Sequence, residues 1–389
     1  MRGIPSLGDE VLRNMLICAQ AFGVHAAGGG SRILRALLKE APEPTISICM
    51  DVRKPPPTSI VTELHIPPRP SFGRLEATRF RIYLDRLFTN YRRQQRLLEQ
   101  VCREYKAGKL HAIAHGPDFW VSYQAARKLR VPFFLTVHDR IEYNLARDYR
   151  LAYWQKCLGE VWQNADARMV ISEEMGEGLD ALYGRRPWTV VTDGLEHIHP
   201  LRERPQNSFR IYFAGAIHLS YAATFAALAK ALALIRGQYP AMPVSLTVRG
   251  SAVPDSFQGL PVRALPWASE GEVEKDMEKA DLLYLPLPFG PEYEMFWRYS
   301  LSTKLVTYLG SGLPILYHGP AEAAAGRLLA RHQAAVLATS LEPEEVARCL
   351  LEAGECAPQI VENAQRLARS QFMLEEQRRR FWKIVGGGE

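Results

Sequence analysis

With 389 residues, 47% of them hydrophobic and 23% charged, the chain has material for two ordinary globular domains and no fibrous or low-complexity character. No apolar run approaches the ~20 residues of a spanning helix, and charges interrupt the opening MRGIPSLGDEVLRNMLIC, so neither anchor nor signal peptide is expected there. The net charge of +6 falls entirely within residues 1–200, which hold 28 Lys+Arg against 22 Asp+Glu.

These features lead to the expectation of a soluble protein that is cytoplasmic or peripheral on the inner face of a membrane. The six cysteines (Cys18, Cys49, Cys102, Cys157, Cys349, Cys356) lack CxxC spacing, which favours reduced thiols over a structural zinc site. No HExxH or other close ligand cluster is seen, so no metal is expected.

Asn14 to Ala19 reads as a short buried strand. Gly28, Gly29 and Gly30 then open a helix whose apolar stripe is Ile33, Leu34, Leu37 and Leu38. Strand, glycine-rich turn and helix is a Rossmann-like order, and glycines let a ligand approach backbone amides closely. Without GxGxxG, a dinucleotide is not indicated, and a purely structural turn stays open. A second strand is expected near Thr45 to Met50, followed by a proline-rich loop from Lys54 to Pro70.

Residues 69–109 carry 11 basic and 4 acidic residues, with Phe80, Tyr83, Leu84, Leu87, Tyr91 and Leu98 at helical spacing. This segment reads either as a surface helix with a solvated polar face or, over 80–109, as a contact for anionic membrane or a lipid-phosphate acceptor. No nucleic-acid module accompanies it, so nucleic acid ranks last as a partner.

LHAIAHGPDF and VPFFLTVHDR read as strands ending at His115 and His138, at the carboxyl edge where parallel sheets bind ligands. A lone histidine is usually structural. Two at equivalent strand ends mark both as candidate catalytic residues. In WQNADARMVISEEM, Ser172 should cap a helix with Glu173 and Glu174 in its first turn. WTVVTDGLEHIHP adds a strand and an Asp193-Gly194 turn, and the polar run Pro200 to Ser208 reads as a linker.

FRIYFAGAIHLSYAATFAALAKALALI opens a second strand–glycine–helix unit with Gly215 in its turn, and Arg249 ends the next strand. Arg249 could grip a phosphate with its fork of donors or stand solvated. VRALPWAS offers Leu265 and Trp267, and PLPFGPEYEMFWRYS carries Glu292 and Glu294 among aromatics.

STKLVTYLGSGLPIL then reads as a short helix. Ser300 or Ser302 could cap it, Gly312 should end it, and Pro314 should prevent its return. Thr303 and Thr307 share one face, and Lys304 sits at the mouth with the free first-turn amides. Such a mouth suits a phosphate, or it is simply a capped helix with a solvated lysine. ENAQRLARSQFMLEEQRRRFWKIV reads as one long terminal helix.

In order along the chain, the glycine turn, His115-Gly116-Pro117, VHDR, the ADARMVISEE segment, the DG turn and KLVTYLGSGLPIL after DLLYLPLP resemble the retaining GT-B glycosyltransferases of family 4, the glycosyl transferases group 1 type. The resemblance implies an α/β chain of two Rossmann-like domains facing a cleft. Residues 1–200 would form an acceptor domain, 206–368 a nucleotide-sugar domain, and 369–389 a terminal helix packing back on the first.

It further implies sugar transfer from a nucleotide sugar to a glycan, lipid-linked or small-molecule acceptor with retention of configuration, with no metal and no cofactor besides the donor. His115, matching the family's His-x-Pro motif, would face the transferred sugar, and His138, at the family's next strand end, is the second catalytic candidate. Donor contacts would come from Gly28, Gly29, Gly215, Arg249, Leu265, Trp267, Glu292, Glu294, Ser302, Thr303, Lys304 and Thr307. The sequence departs from the family where Ala216 stands in place of an arginine, and where Tyr299 and Thr307 occupy the positions of a glutamate pair. Those departures keep open a non-catalytic GT-B subunit that binds a partner, and the shared architecture keeps open a nucleotide-sugar epimerase.

Overall fold

The computed structural model describes residues 15–26, 28–50, 60–66, 90–145, 148, 150–202, 209–355 and 358–386. The chain divides into two units, Met1–Thr192 with Gln377–Glu389, and Asp193–Glu376. The expected boundary at residue 200 thus falls at Thr192. The reason is local pairing: the Leu195 amide donates to the Phe372 carbonyl, and the Leu374 amide donates to that of Leu195, so this segment is built into the second unit.

The first unit is a seven-stranded parallel sheet in the order β3-β2-β1-β4-β5-β6-β7. Its strands are β1 (Met15–Gln20), β2 (Thr45–Cys49), β3 (Thr62–His65), β4 (Ala107–Ile113), β5 (Phe133–Val137), β6 (Ala167–Val170) and β7 (Thr189–Val190). Every residue of β1 and β5 is buried, as expected of central parallel strands covered on both faces. The helix Gly29–Leu38 buries Ile33, Leu34, Leu37 and Leu38 against this sheet's core.

The basic helix spans Asn90–Glu104, with Leu98 fully buried and Arg92, Arg93 and Arg96 exposed. Phe80, Tyr83, Leu84 and Leu87 lie outside the described residues, as does most of the proline-rich loop. Ser172 caps the helix Glu173–Tyr183 by accepting a 3.0 Å bond from the Met175 amide.

The terminal segment is two helices, Pro358–Gln371 and Leu374–Gly386, rather than one. The break has a cause: the Phe372 amide still donates to the Ala368 carbonyl, but the Phe372 carbonyl accepts from the Leu195 amide and the Leu374 amide donates to the Leu195 carbonyl, so Met373 bridges Leu195 instead of continuing the helix. The last helix belongs to the first unit, where Phe381 and Val385 are buried. There Arg378 Nε donates to the Ala36 carbonyl at 2.8 Å and Trp382 Nε1 to that of Leu37 at 3.0 Å.

The second unit holds a six-stranded parallel sheet in the order β10-β9-β8-β11-β12-β13. Its strands are β8 (Phe209–Ala214), β9 (Val244–Arg249), β10 (Val262–Leu265), β11 (Leu282–Pro286), β12 (Ile315–His318) and β13 (Val336–Ala338). The two-residue period of β8 builds two cores. Phe209, Ile211 and Phe213 enter one with Phe225 and Leu228, while Tyr212 and Ala214 enter the other with Leu305 and Leu309.

The helix Ala222–Gln238, with the turn before it, is long and apolar enough to pass as a spanning segment by length and composition, contrary to the expectation that no apolar run approaches that length. Half of it is buried, and Phe225, Leu228, Leu232 and Ile235 form its core face.

Candidate functional site

In each sheet the strand order reverses once, and crevices at such switch points, beyond the carboxyl ends of the strands, are where open α/β sheets hold ligands. In the first unit the reversal lies between β1 and β4. His115 follows β4 by two residues and His138 follows β5 directly, so both histidines sit beyond the strand ends. Their rings meet edge to face with centroids 5.7 Å apart, and the His115 ring also packs against Phe22 at 5.2 Å.

His115 Nε2 lies 3.5 Å from Asp139 Oδ2 and makes no hydrogen bond among the described residues. Burial lowers the His115 pKa, and the Asp139 carboxylate partly opposes that shift. His138 is held well below the ordinary range by burial, with His115 and His111 adding to the effect. His111, within β4, is pushed by burial to about 3 and shares a 2.7 Å hydrogen bond with Thr136 Oγ1. All three imidazoles are neutral at pH 7, and neutral imidazole can donate or accept a hydrogen bond to a hydroxyl.

The glycine turn borders this group. A side-chain carbon at Gly30 would come within 3.0 Å of Phe22 and 3.4 Å of His115 Nε2. Gly28, with φ +148°, and Gly29 are exposed at the start of the helix and belong to the first unit, whereas the other expected donor residues belong to the second. Phe22 and Asp139 escaped the sequence reading. Asp139 was in view as the residue after His138, but nothing in VHDR alone says that its carboxylate turns toward a histidine on another strand.

In the second unit the reversal lies between β8 and β11. Gly215 follows β8 with φ +133°, and a side-chain carbon there would meet Lys304 Nζ at 3.0 Å. Lys304 comes from the helix Thr303–Leu309, too short to be stable alone. Packing holds it: Leu305, Val306 and Leu309 are buried, each worth roughly 1.5–3 kcal/mol for a fully buried side chain. The Tyr308 hydroxyl accepts the Ala214 amide at 3.1 Å and locks the helix to the end of β8.

The Lys304 ammonium lies 5.5 Å from the Phe213 ring centroid and has no anionic partner among the described residues. Burial lowers its pKa to about 8. An ammonium desolvated without a counter-charge is costly, and an anion beside it would relieve that cost.

The other expected donor residues divide. Ser302 caps the Lys304 helix, its hydroxyl accepting from the Lys304 amide at 3.3 Å. The helix ends on Gly310 instead of Gly312, and Gly312 (φ +75°) is needed because a side chain there would collide with the Pro200 carbonyl. Thr307 Oγ1 donates to the Thr303 carbonyl at 3.2 Å and is spent inside the helix.

Arg249 does not offer a free guanidinium. Its Nε donates to Asp276 Oδ2 at 2.7 Å and Nη1 to the Pro266 carbonyl at 3.1 Å. The positive charge beside Gly215 therefore comes from Lys304, about ninety residues on in sequence. Leu265 and the exposed Trp267 line a shallow pocket of about 380 Å³ with Gly250 and Ser251. Glu294 is held by Arg298 at 2.7 Å, one turn along its helix, whereas Glu292 is exposed.

Comparison with known proteins agrees with the topology. Residues 28–194 match the family model described as Glycosyl transferase 4-like domain. A comparison with the curated proteins found no match. Among solved structures, Anabaena HepE in complex with UDP and glucose superposes with a TM-score of 0.68 at 15% identity, covering 96% of this chain and 99% of its own. A UDP-forming α,α-trehalose-phosphate synthase from Burkholderia xenovorans, in complex with glucose-6-phosphate, gives 0.66 at 13% identity, covering 96% and 100%. A Listeria monocytogenes protein described as a candidate UDP-N-acetylglucosamine 2-epimerase gives 0.59 at 11% identity, covering 96% of each chain. Over residues 28–194 the chain is thus similar to the glycosyl transferase 4-like domain, and its two parallel sheets share the α/β fold of the GT-B glycosyltransferase structures.

Proposed function

We propose that this protein transfers a sugar from a nucleotide-sugar donor to a hydroxyl-bearing acceptor with retention of configuration. The observation that carries the proposal is the desolvated ammonium of Lys304, without an anionic partner among the described residues, against Gly215 at the switch point of the second sheet. A nucleoside diphosphate supplies the counter-charge this edge lacks. The relatives with bound UDP and glucose, and the glycosyl transferase 4-like match, support the same choice of ligand.

In this mechanism the second unit binds the donor, and negative charge growing on the leaving diphosphate is stabilised by Lys304. Charge stabilisation by fixed groups of this kind is usually the largest catalytic contribution. Leu265 and Trp267 are assigned to the base, and Glu292 to the sugar. In the first unit His115 hydrogen-bonds a sugar or acceptor hydroxyl as neutral imidazole, with Asp139 orienting the ring and supporting it as positive charge develops nearby. No step in this scheme needs a metal.

The test is a melting-temperature screen against UDP, GDP, ADP and dTDP sugars, followed by product analysis with the donor that binds. A ligand at 100 times its dissociation constant adds about 2.7 kcal/mol. Absence of a shift with every donor would end the proposal. Epimerised donor formed without any acceptor would redirect it to the epimerase chemistry that the Listeria relative's description names.

A further inference from the structure

The second unit brings a pair of histidines together with a glutamate some seventy-five residues further along the chain. Ile198 packs against the core, and its two neighbours, His197 and His199, face each other with ring centroids 4.8 Å apart. Glu274 lies beside them on the helix Glu270–Met277, its Oε1 3.9 Å from His197 Nε2. One ligand atom from each residue lies within 4.8 Å of the other two.

Two features hold this group in place. The His199 amide donates to the Gly310 carbonyl at 2.8 Å, and the His199 carbonyl accepts from Gln365 Nε2 at 2.8 Å, so the backbone between the imidazoles is fixed from both sides. The helix bearing Glu274 starts at a capping box in which Ser269 and Glu272 satisfy each other's backbone groups. The side chains above these anchors keep freedom, since those of His197 and Glu274 are 58% and 41% exposed.

We propose that His197, His199 and Glu274 form a binding site for a divalent metal of the zinc class. Two imidazoles and one carboxylate are a donor set that zinc and its late first-row neighbours accept, whereas magnesium and calcium prefer oxygen. A tetrahedral ion with bonds of about 2.0–2.1 Å needs donor atoms roughly 3.3 Å apart, so small side-chain rotations close the site around it. The fourth position is left to water. The ion would clip the segment that enters the second unit onto the helix carrying Glu274. It plays no part in the proposed sugar transfer, whose residues are different ones.

The test uses tag-free full-length chain stripped with EDTA. Calorimetric titration with zinc chloride should give one equivalent, and zinc should raise the melting temperature while magnesium should not. His199→Ala and Glu274→Gln should each weaken zinc at least 10- to 100-fold, the loss seen even when an outer-sphere partner is removed. Glu274 is half exposed, so its variant keeps the test decisive even if the histidine variant folds poorly. No zinc-dependent heat or melting shift, or equal zinc binding by wild type and Glu274→Gln, would show that the cluster is only a surface ion pair.

Discussion

Both sheets reverse their strand order once, and at both reversals a glycine turn lies against an ionisable side chain, yet the two edges differ in charge. In the first unit Gly30 abuts His115 within a group of three neutral imidazoles and a carboxylate. In the second, Gly215 abuts a single ammonium with no counter-ion among the described residues. The same backbone solution carries neutral imidazoles at one edge and an ammonium at the other, which under the proposed function handle a hydroxyl and an anion respectively. Topology places the edge, and a few side chains decide what it does.

The strongest way to break this comparison is to remove His115. His115→Ala is expected to lower turnover by about 10²-fold or more, the scale for loss of a positioned catalytic group, while donor affinity stays within twofold. Turnover and melting temperature measured on the same preparation separate catalysis from stability. A folded variant with undiminished turnover would reduce His115 to packing.

Lys304→Ala tests the other edge and should weaken the nucleotide by about 1.5–3 kcal/mol, as for a lost charged hydrogen bond, with little change in melting temperature. The pKa of about 8 adds a pH signature. Lys304 is charged below that value and neutral above it, so affinity for a nucleotide sugar should hold at pH 7 and decline as pH rises beyond about 8. Affinity that is flat to pH 9.5, read by calorimetry, would remove the ammonium from the binding site.

A third expectation concerns stability. His111, His115 and His138 stay neutral in the fold but take up protons in the unfolded chain below about 6.5, so the unfolded state binds more protons as pH drops. Stability should therefore fall on acidification from pH 6.5, by up to about 1.4 kcal/mol per pH unit for each histidine. Urea midpoints between pH 7 and 5 measure it, and His111→Gln should flatten the slope. The smallest effect belongs to Arg298→Ala, which frees Glu294 from a partly exposed pair worth about 0.3–0.5 kcal/mol. If Glu294 touches a sugar, KM changes and stability does not.

The sequence made the order of elements legible because burial and period are written locally. The all-apolar strands, the stripe from Ile33 to Leu38, the Ser172 cap and the Ser302 cap all follow from neighbours within one or two turns. Arg249 shows where that ends. Its type and strand-end position both suited a phosphate, but Asp276, on a helix beyond the next strand, neutralises it. The break at Phe372 and Met373 was equally hidden, since the helical pattern runs through both residues and only pairing with Leu195 interrupts it. The cluster of His197, His199 and Glu274 escaped for the same reason. The His-x-His spacing was visible, but its third member stands some seventy-five residues away.

The placement of the last helix also sets an order of assembly. Residues 377–386 complete the first unit, yet they are made after the whole of the second. A nascent chain that has passed residue 192 still lacks the Phe381 ring that packs on His111 and the donors that satisfy the Ala36 and Leu37 carbonyls. The half synthesised first is therefore the half that finishes folding last. Until residue 386 emerges, an open seam on its core is exposed to chaperones and proteases, and the second unit is free to fold ahead of it.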